Sequence, residues 1–196
     1  MKMNSAESFI IRHRLRGRYL EKKELPAFLN MHALEPKKTI LEVGCGAGFG
    51  LDALYKTLHP VKLYGIDIDD KMIALAQERC KNRPHIIIQN ASTTALPYGE
   101  NMFDAVFVFA VLHHIEDWQT ACKEIYKVLK PGGIFYFEEF SRPALHNPLF
   151  KLFFDHPQEN RFIAEEFVGE LIKIGFKDIS YHNILDDWWF RGIGKK

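Results

Sequence analysis

The sequence is poor in cysteine, has no long apolar run and carries almost no net charge. Its 196 residues include three cysteines, 26 Lys and Arg, and 25 Asp and Glu, for a formal charge of +1. Cys45, Cys80 and Cys122 cannot all pair and form no Cys-x-x-Cys unit, so we expect reduced thiols in a reducing compartment. Near-neutral charge argues against a nucleic-acid partner, because phosphate binding favours a strong basic excess.

Other signatures are also missing. No apolar stretch approaches the ~18 residues that span a bilayer, and residues 1–8 lack the apolar core of a signal peptide. We therefore predict a cytoplasmic protein without stable membrane insertion. Neither a Gly-x-Ser-x-Gly nor a Gly-Lys-[Ser/Thr] motif is present, so acyl hydrolysis and phosphoryl transfer have no support.

Short apolar strands alternate with helices of about ten residues from Thr39 to Phe137. This alternation is typical of βαβ units and a parallel sheet. A last helix, Glu165–Ile174, precedes two strands placed to pair antiparallel. The predicted fold class is α/β: a doubly wound, mostly parallel, seven-stranded Rossmann-like sheet with an antiparallel last strand. The predicted strands are Thr39–Val43, Val61–Ile66, His85–Gln89, Ala105–Phe109, Ile134–Phe137, Phe176–Tyr181 and Trp188–Gly192.

The length predicts a single domain, 1–196, with four segments. These are an N-terminal helical cap (1–38), a cofactor-binding core (39–140), a lid or insertion (141–164) and a final helix with a strand pair (165–196). Pro26 is expected to break the helical cap, and Lys130-Pro131-Gly132-Gly133 predicts a turn. The cap is basic, which we interpret as a solvated helix face, with contact to a membrane surface as the alternative. Its basic residues are Arg12, Arg14, Arg16, Arg18, Lys22 and Lys23.

A glycine cluster follows the first predicted strand. It reads Glu42-Val43-Gly44-Cys45-Gly46-Ala47-Gly48 and opens a helix. Such a turn lets backbone approach a ligand closely and directs free N–H groups at it. The next strand ends at Asp67, where nucleotide-binding sheets place an acid that accepts hydrogen bonds from ribose hydroxyls. The combination predicts a nucleoside cofactor; the alternative is a compact turn with Asp67 capping a helix.

The dinucleotide fingerprint Gly-x-Gly-x-x-Gly does not fit this loop. Its third glycine would fall on Phe49 or on Leu51. A nicotinamide-dependent oxidoreductase is therefore a disfavoured alternative.

The loop instead reads Glu-x-Gly-x-Gly-x-Gly, which resembles the first motif of class I S-adenosylmethionine-dependent methyltransferases. Matching segments continue in order from Thr39 to Phe137. They are Tyr64–Ile68, Asn90-Ala91, Leu96–Tyr98, Phe103–Val106, Val111–Ile115 and Val128–Gly133.

The resemblance implies S-adenosylmethionine as cofactor and assigns its contacts. Asp67 holds the ribose diol, Ile68 flanks the adenine, and Asn90 meets the adenine amino group through its side-chain carbonyl. Glu42 suits the ammonium and sulfonium charges of the methionine part. The predicted cofactor-binding residues are Glu42, Gly44, Cys45, Gly46, Gly48, Asp67, Ile68, Asn90, Ala91 and Phe109.

Other titratable residues are weaker candidates. His113 and His114 are helix neighbours that face different ways, so we expect no metal site, although one of them could line the acceptor pocket. His146, Asp155 and His156 are candidate polar contacts to the acceptor, with ordinary loop residues as the alternative. The sequence assigns no catalytic base and no oligomeric state.

In the family it resembles, segments before the first strand and after the fifth cover the active site. Here both segments are rich in apolar side chains, so we predict methyl transfer to a small, partly apolar acceptor. The alternatives are that these side chains pack the insertion onto the sheet, and that the chain is a non-catalytic cofactor-binding module. The side chains are Tyr19, Phe28, Leu145, Leu149, Phe150, Leu152, Phe153, Phe154 and Phe162.

Overall fold

The computed structural model describes residues 14–146, 160–185 and 187–196, without the side chains of Arg14 and His146. Its strands are β1 (Thr39–Val43), β2 (Lys62–Asp67), β3 (Ile86–Asn90), β4 (Phe103–Phe109), β5 (Leu129–Phe140), β6 (Lys177–Ile184) and β7 (Trp189–Lys195). Its helices are α1 (Arg14–Tyr19), α2 (Leu25–Met31), α3 (Phe49–Leu58), α4 (Asp70–Cys80), α5 (Trp118–Val128), α6 (Arg142–His146) and α7 (Ala164–Ile174).

The strands form one seven-stranded sheet in the order β3-β2-β1-β4-β5-β7-β6. The pairs from β3 to β5 are parallel, whereas β7 runs antiparallel to both β5 and β6. This confirms the predicted α/β class and its antiparallel last strand. The order reverses between β1 and β4, and ligands of open α/β sheets bind outside the carboxyl ends of the strands at such a point.

Both faces of the sheet are covered, because successive strand side chains point to opposite sides. In β5, Phe135 and Phe137 belong to the core beneath α5 and α7, while Ile134 and Tyr136 belong to the core beneath α2, α3 and α4. Burial on both faces explains why the central strands are apolar almost throughout.

The expected break at Pro26 is wrong. Helix α1 continues through a π-helical segment, Leu20–Glu24, directly into α2, and Glu24 and Leu25 keep right-handed helical backbone angles. The Leu25 N–H donates to the carbonyl of Leu20, one residue further back than in an α-helix. Pro26 lies at the start of α2, where a missing N–H is tolerated. The π-helical turn is wider than an α-helical one, and the helix continues through it across Pro26.

The turn predicted at residues 130–133 is confirmed, although β5 begins just before it, at Leu129. These residues lie within β5, where the register to β4 jumps: Phe103 pairs with Leu129, but Ala105 pairs with Ile134. The extra residues form an irregular bulge in which Gly132 has a φ of +78°. Proline and glycine are tolerated because the bulge leaves its residues outside the regular ladder.

Within the described ranges, no helix is long and apolar enough to cross a membrane.

Candidate cofactor and acceptor site

At the carboxyl edge of the sheet, one row of residues runs across neighbouring strands. Asp67 at the end of β2 pairs with Asn90 of β3, and Phe109 at the end of β4 pairs with Glu138 of β5. Gly44 directly follows β1, between these two pairs. The strand register therefore brings the polar residues predicted from separate motifs to one edge of the sheet. The same row includes Glu138, which was not among the residues predicted from the sequence.

The glycine turn needs glycine for its backbone. Gly44, Gly46 and Gly48 have φ angles of +68°, +49° and +80°, a region that other residues rarely adopt. A Cβ on Gly44 would also lie 2.5 Å from the methyl carbons of Val111. Because both backbone angle and space exclude a side chain, the turn presents bare backbone at the edge of the sheet.

Helix α4 holds this turn from outside. The Arg79 Nε donates to the carbonyl of Ala47 at 2.7 Å, and its guanidinium lies 3.4 Å from the centre of the Phe49 ring. The Cys45 N–H donates to the carbonyl of Ile66 at 2.8 Å, which ties the turn to the end of β2. The predicted site residue Cys45 is itself buried, with the pKa of its thiol raised well above the usual value by burial.

Asp67 joins the two predicted motifs. Its Oδ2 accepts from the Gly46 N–H at 2.9 Å, and its Oδ1 accepts from the Asp69 N–H at 3.0 Å. Burial raises the pKa of Asp67, and the backbone N–H donors oppose that rise. Each carboxylate oxygen has a second lone-pair site, so this side chain can accept further hydrogen bonds while it shapes the glycine turn.

The next residues along the row, Asn90 and Ile68, offer a hydrogen-bond acceptor and an exposed apolar side chain, which suit a flat heterocycle. Asn90 is exposed, and its Nδ2 donates to the Ile68 carbonyl at 3.1 Å and to Asp70 Oδ1 at 2.7 Å. With both N–H groups engaged, the side-chain carbonyl is the oxygen that remains to accept. Ile68 leaves 60% of its surface exposed, and the Ala91 N–H bonds back to the Asp67 carbonyl at 3.1 Å.

Glu42 is a buried acid in the middle of the sheet. Its Oε2 has no hydrogen-bond partner, and burial raises its pKa well above the usual value, with Arg16 opposing and Asp67 and Glu24 adding to the rise. A Cβ on Gly50 would lie 2.6 Å from the Glu42 Cδ, so the carboxyl group packs directly on bare backbone. The site thus holds a carboxyl group with spare acceptor capacity beside the glycine turn.

Phe109 lies at the same edge but packs into the core. Its ring stacks on Phe107 with centres 5.9 Å apart and meets Phe28 edge-to-face at 5.7 Å. It is 8% exposed. A cofactor contact of Phe109 therefore stays a prediction.

A cluster of buried charges under the N-terminal helices was missed by the sequence analysis. Glu24 and Glu138 are fully buried; Arg16 pairs with Oε1 of Glu24, and Arg191 pairs with Oε2 of Glu138. The second carboxylate oxygen of each glutamate, Glu24 Oε2 and Glu138 Oε1, has no hydrogen-bond partner. The sequence signal was available, because Glu138 and Glu139 are consecutive acids in an otherwise apolar strand.

His113 has a structural partner. Its Nδ1 lies 2.6 Å from Glu139 Oε2, and Glu139 also accepts from the N–H groups of Val111, Leu112 and His113. Glu139 is fully buried on the face opposite Glu138. The pair therefore fastens the segment that leaves β4 to the end of β5.

Three of the predicted acceptor-lining residues pack in the core. Phe28, Leu145 and Phe162 are buried: Phe28 among Phe107, Phe109 and Tyr136, and Phe162 against Trp118 and Phe167. Tyr19 is 43% exposed. This burial agrees with the alternative that they pack onto the sheet, and an acceptor contact of these three side chains stays a prediction. Outside the described residues or side chains lie the other candidates, His146, Leu149, Phe150, Leu152, Phe153, Phe154, Asp155 and His156.

Comparison with known proteins shows the family to which this chain belongs. A methyltransferase-domain family profile matches residues 41–137. A demethylmenaquinone methyltransferase of Geobacillus stearothermophilus is 30% identical over 185 residues, which is 92% of this chain and 72% of that protein. The chain belongs to the class I S-adenosylmethionine-dependent methyltransferases. It is an enzyme of this family, with S-adenosylmethionine as its cofactor.

Other relatives share less of their length. A demethylmenaquinone methyltransferase of Staphylococcus carnosus is 34% identical over 124 residues, or 62% of this chain and 51% of that protein. The fold is similar to that of a SAM-dependent methyltransferase from Aquifex aeolicus, with a TM-score of 0.76, 18% identity and 99% of both chains covered. At that identity the likeness concerns the fold alone.

Proposed function

We propose that this methyltransferase acts on a ring carbon of a small, partly apolar quinol. The observation that carries the proposal is the match to a demethylmenaquinone methyltransferase, because it extends over 92% of the chain. It therefore includes the N-terminal and C-terminal segments, which in this family cover the active site, in addition to the cofactor motifs. Demethylmenaquinone is a naphthoquinone with an apolar tail, and this agrees with the acceptor class predicted from the sequence.

The predicted cofactor residues fit S-adenosylmethionine in this proposal. Asp67 has lone pairs for the ribose hydroxyls, and the carbonyl oxygen of Asn90 is left to accept from the adenine amino group. Exposed Ile68 offers an apolar surface for the adenine ring. The unpartnered Oε2 of Glu42 suits a cationic group of the methionine part.

The protein contributes mainly by placement. S-adenosylmethionine supplies a methyl group on a positively charged sulfur, which is already a good leaving group. The residues at the edge of the sheet hold donor and acceptor in line and exclude water, and such alignment can account for ~7–11 kcal/mol of the barrier. A side chain that accepts the acceptor's proton adds to this only if the acceptor must lose one.

Incubation of the protein with S-adenosylmethionine and a short-chain 1,4-naphthoquinol under reducing conditions tests the acceptor. The expected product carries one additional methyl group by mass spectrometry, and Asp67→Ala should reduce its rate by at least tenfold. A protein that binds S-adenosylmethionine but methylates no naphthoquinol would contradict the proposal. We further propose a cytoplasmic location and no nucleic-acid partner, on the composition given above.

A further inference from the structure

Glu138 lies at the opposite end of the row at the carboxyl edge from Asn90. The residues proposed for the nucleoside, Asp67 and Asn90, belong to β2 and β3, and the glycine turn follows β1. Beyond β1 the sheet continues with β4 and then β5. Because neighbouring strands are ~4.8 Å apart, Glu138 of β5 is roughly two strand spacings from the glycine turn. The proposed nucleoside contacts occupy the opposite end of this row, so the end at Glu138 is the one left for an acceptor.

The two oxygens of this carboxylate differ in their partners. Arg191 directs both Nε and Nη2 at Oε2 of Glu138, whereas Oε1 has no hydrogen-bond partner. The Glu138 side chain is fully buried. An unsatisfied buried acceptor costs ~1–3 kcal/mol, so the free Oε1 indicates a ligand that brings a donor.

A second carboxylate oxygen without a partner belongs to the same cluster of charges. Glu24, fully buried in the π-helical segment above, likewise has one oxygen on Arg16 and one, Oε2, without a partner. Glu24, Arg16 and Arg191 all act electrostatically on Glu138. A ligand with a hydroxyl group complements these oxygens, whereas the carbonyl oxygens of an oxidised quinone would face them with lone pairs.

We propose that Glu138 binds a hydroxyl group of a reduced aromatic acceptor through Oε1 and takes its proton during methyl transfer. Arg191 is the positioning residue. By binding Oε2 it orients the carboxylate of Glu138 so that Oε1 lies on the side away from the guanidinium. The inference rests on the proposed function, since it takes the acceptor to be a quinol.

The proton and electron balance is simple. The S–CH₃ bond breaks with its electron pair left on sulfur, and a C–CH₃ bond forms from ring electrons as the hydroxyl proton moves to Glu138. The ring carbon then loses its hydrogen to water, and Glu138 returns its proton to the oxygen. The net products are the methylated quinol, S-adenosylhomocysteine and one proton in solution, and Glu138 ends as a carboxylate.

The electrostatics of the cluster suit this role. Burial raises the pKa of Glu138; Glu24 adds to the rise, and Arg191 and Arg16 oppose it. A carboxylate with a raised pKa is a stronger base, so it accepts a hydroxyl proton more readily than an ordinary carboxylate does. Tyr19 of α1, also within range of Glu24 and Glu138, has its own pKa raised by burial and by these two acids. It therefore stays protonated and does not compete for the role.

The N-terminal helices cover Glu138. Glu24 and Arg16 lie in the segment that runs from α1 into α2, and Phe28 of α2 packs on Phe109 beside Glu138. The acceptor therefore reaches Oε1 only when this segment is displaced.

A binding experiment without S-adenosylmethionine tests the contact. Calorimetry compares 1-naphthol with 1-methoxynaphthalene, which has the same ring but no hydroxyl hydrogen. Wild type should bind the naphthol at least tenfold more tightly. Glu138→Gln should remove this preference, because its carbonyl faces Arg191 and its amide donor replaces Oε1. Glu139→Gln, which alters the adjacent buried acid on the opposite face, should keep the preference.

Equal binding of the two naphthalenes by wild type would overturn the proposal, and so would a preference that survives in Glu138→Gln. Melting temperatures of both variants show whether each is folded. If Glu138→Gln does not fold, Arg191→Lys provides the second test: it keeps the positive charge but releases the fixed orientation, and it should reduce the preference at least threefold.

Turnover of a 1,4-naphthoquinol separates this inference from the proposed function. With wild type, kcat should rise with pH as Glu138 loses its proton. In Glu138→Gln, kcat should fall at least tenfold, and the remaining rate should lose that pH limb while the Kd for S-adenosylmethionine is unchanged. If wild type methylates no naphthoquinol, the proposed function fails, and the naphthol experiment still decides the role of Glu138. A pH limb that persists in Glu138→Gln would overturn the role in proton transfer.

Discussion

The contact between Gly50 and Glu42 predicts an unusual result for a glycine substitution. In an exposed helix interior, Gly→Ala gains ~1 kcal/mol in unfolding free energy. Gly50 lies in the first turn of α3, but a Cβ there would overlap Glu42 Oε1 and lie 2.6 Å from its Cδ. Such overpacking costs ~1–3 kcal/mol. Set against the helix-propensity gain, this cost leads us to expect that Gly50→Ala destabilises the protein by up to ~2 kcal/mol.

Gly169 of α7 provides the matched control, because a Cβ there meets no atom within 4 Å. Urea denaturation should show Gly169→Ala more stable than wild type and Gly50→Ala less stable. Calorimetry should also show at least tenfold weaker binding of S-adenosylmethionine by Gly50→Ala, because the displaced Glu42 carboxyl group no longer meets the cofactor's positive charge. If both variants gain stability equally and bind the cofactor as wild type does, the Glu42 carboxyl group does not pack against Gly50.

Three further outcomes follow from the site. Asp67→Ala should weaken S-adenosylmethionine binding at least tenfold in calorimetry, since charge-assisted hydrogen bonds contribute ~1.5–3 kcal/mol each. The substitution also removes the acceptor of the Gly46 N–H. An unchanged affinity would show that Asp67 does not bind the cofactor. Gly46→Val should abolish binding, whereas Cys45→Ala should be tolerated, and the reverse pattern would contradict the turn geometry. Because the pKa of Glu42 is raised in the folded protein, the unfolding free energy should fall as pH rises above the usual carboxyl range, by up to ~1.4 kcal/mol per pH unit for one proton. Glu42→Gln should reduce that slope, and an unchanged slope in pH-dependent urea denaturation would show that Glu42 is ionised in the folded state.

Local patterns were sufficient for the fold and for most of the candidate cofactor site. Each central strand is a short apolar run followed by turn residues, and a strand buried on both faces requires this composition. The glycine turn at 44, 46 and 48 could be predicted because left-handed backbone angles strongly favour glycine. Asp67 and Asn90 could be placed at one edge because parallel strands end at the same edge.

One local prediction failed because neighbouring structure changed the outcome. Pro26 usually ends a helix, but here a π-helical segment precedes it and the chain continues. The prediction for the Pro131-Gly132 pair is confirmed: the pair turns the chain, although the turn lies within the range of β5 and not before it.

The sequence by itself determined the fold class, the family resemblance and the glycine turn, because each depends on residues that are close together in the chain. Only the tertiary structure decided which buried charges meet. Arg16 and Glu24 come from the N-terminal helices, Glu138 from β5 and Arg191 from β7, and the strand order and the path of the first helices bring them together. A charged residue within an apolar run indicates that a partner or a ligand is needed, but which one depends on contacts between distant segments. The unpartnered oxygen of Glu138 was therefore visible only in three dimensions.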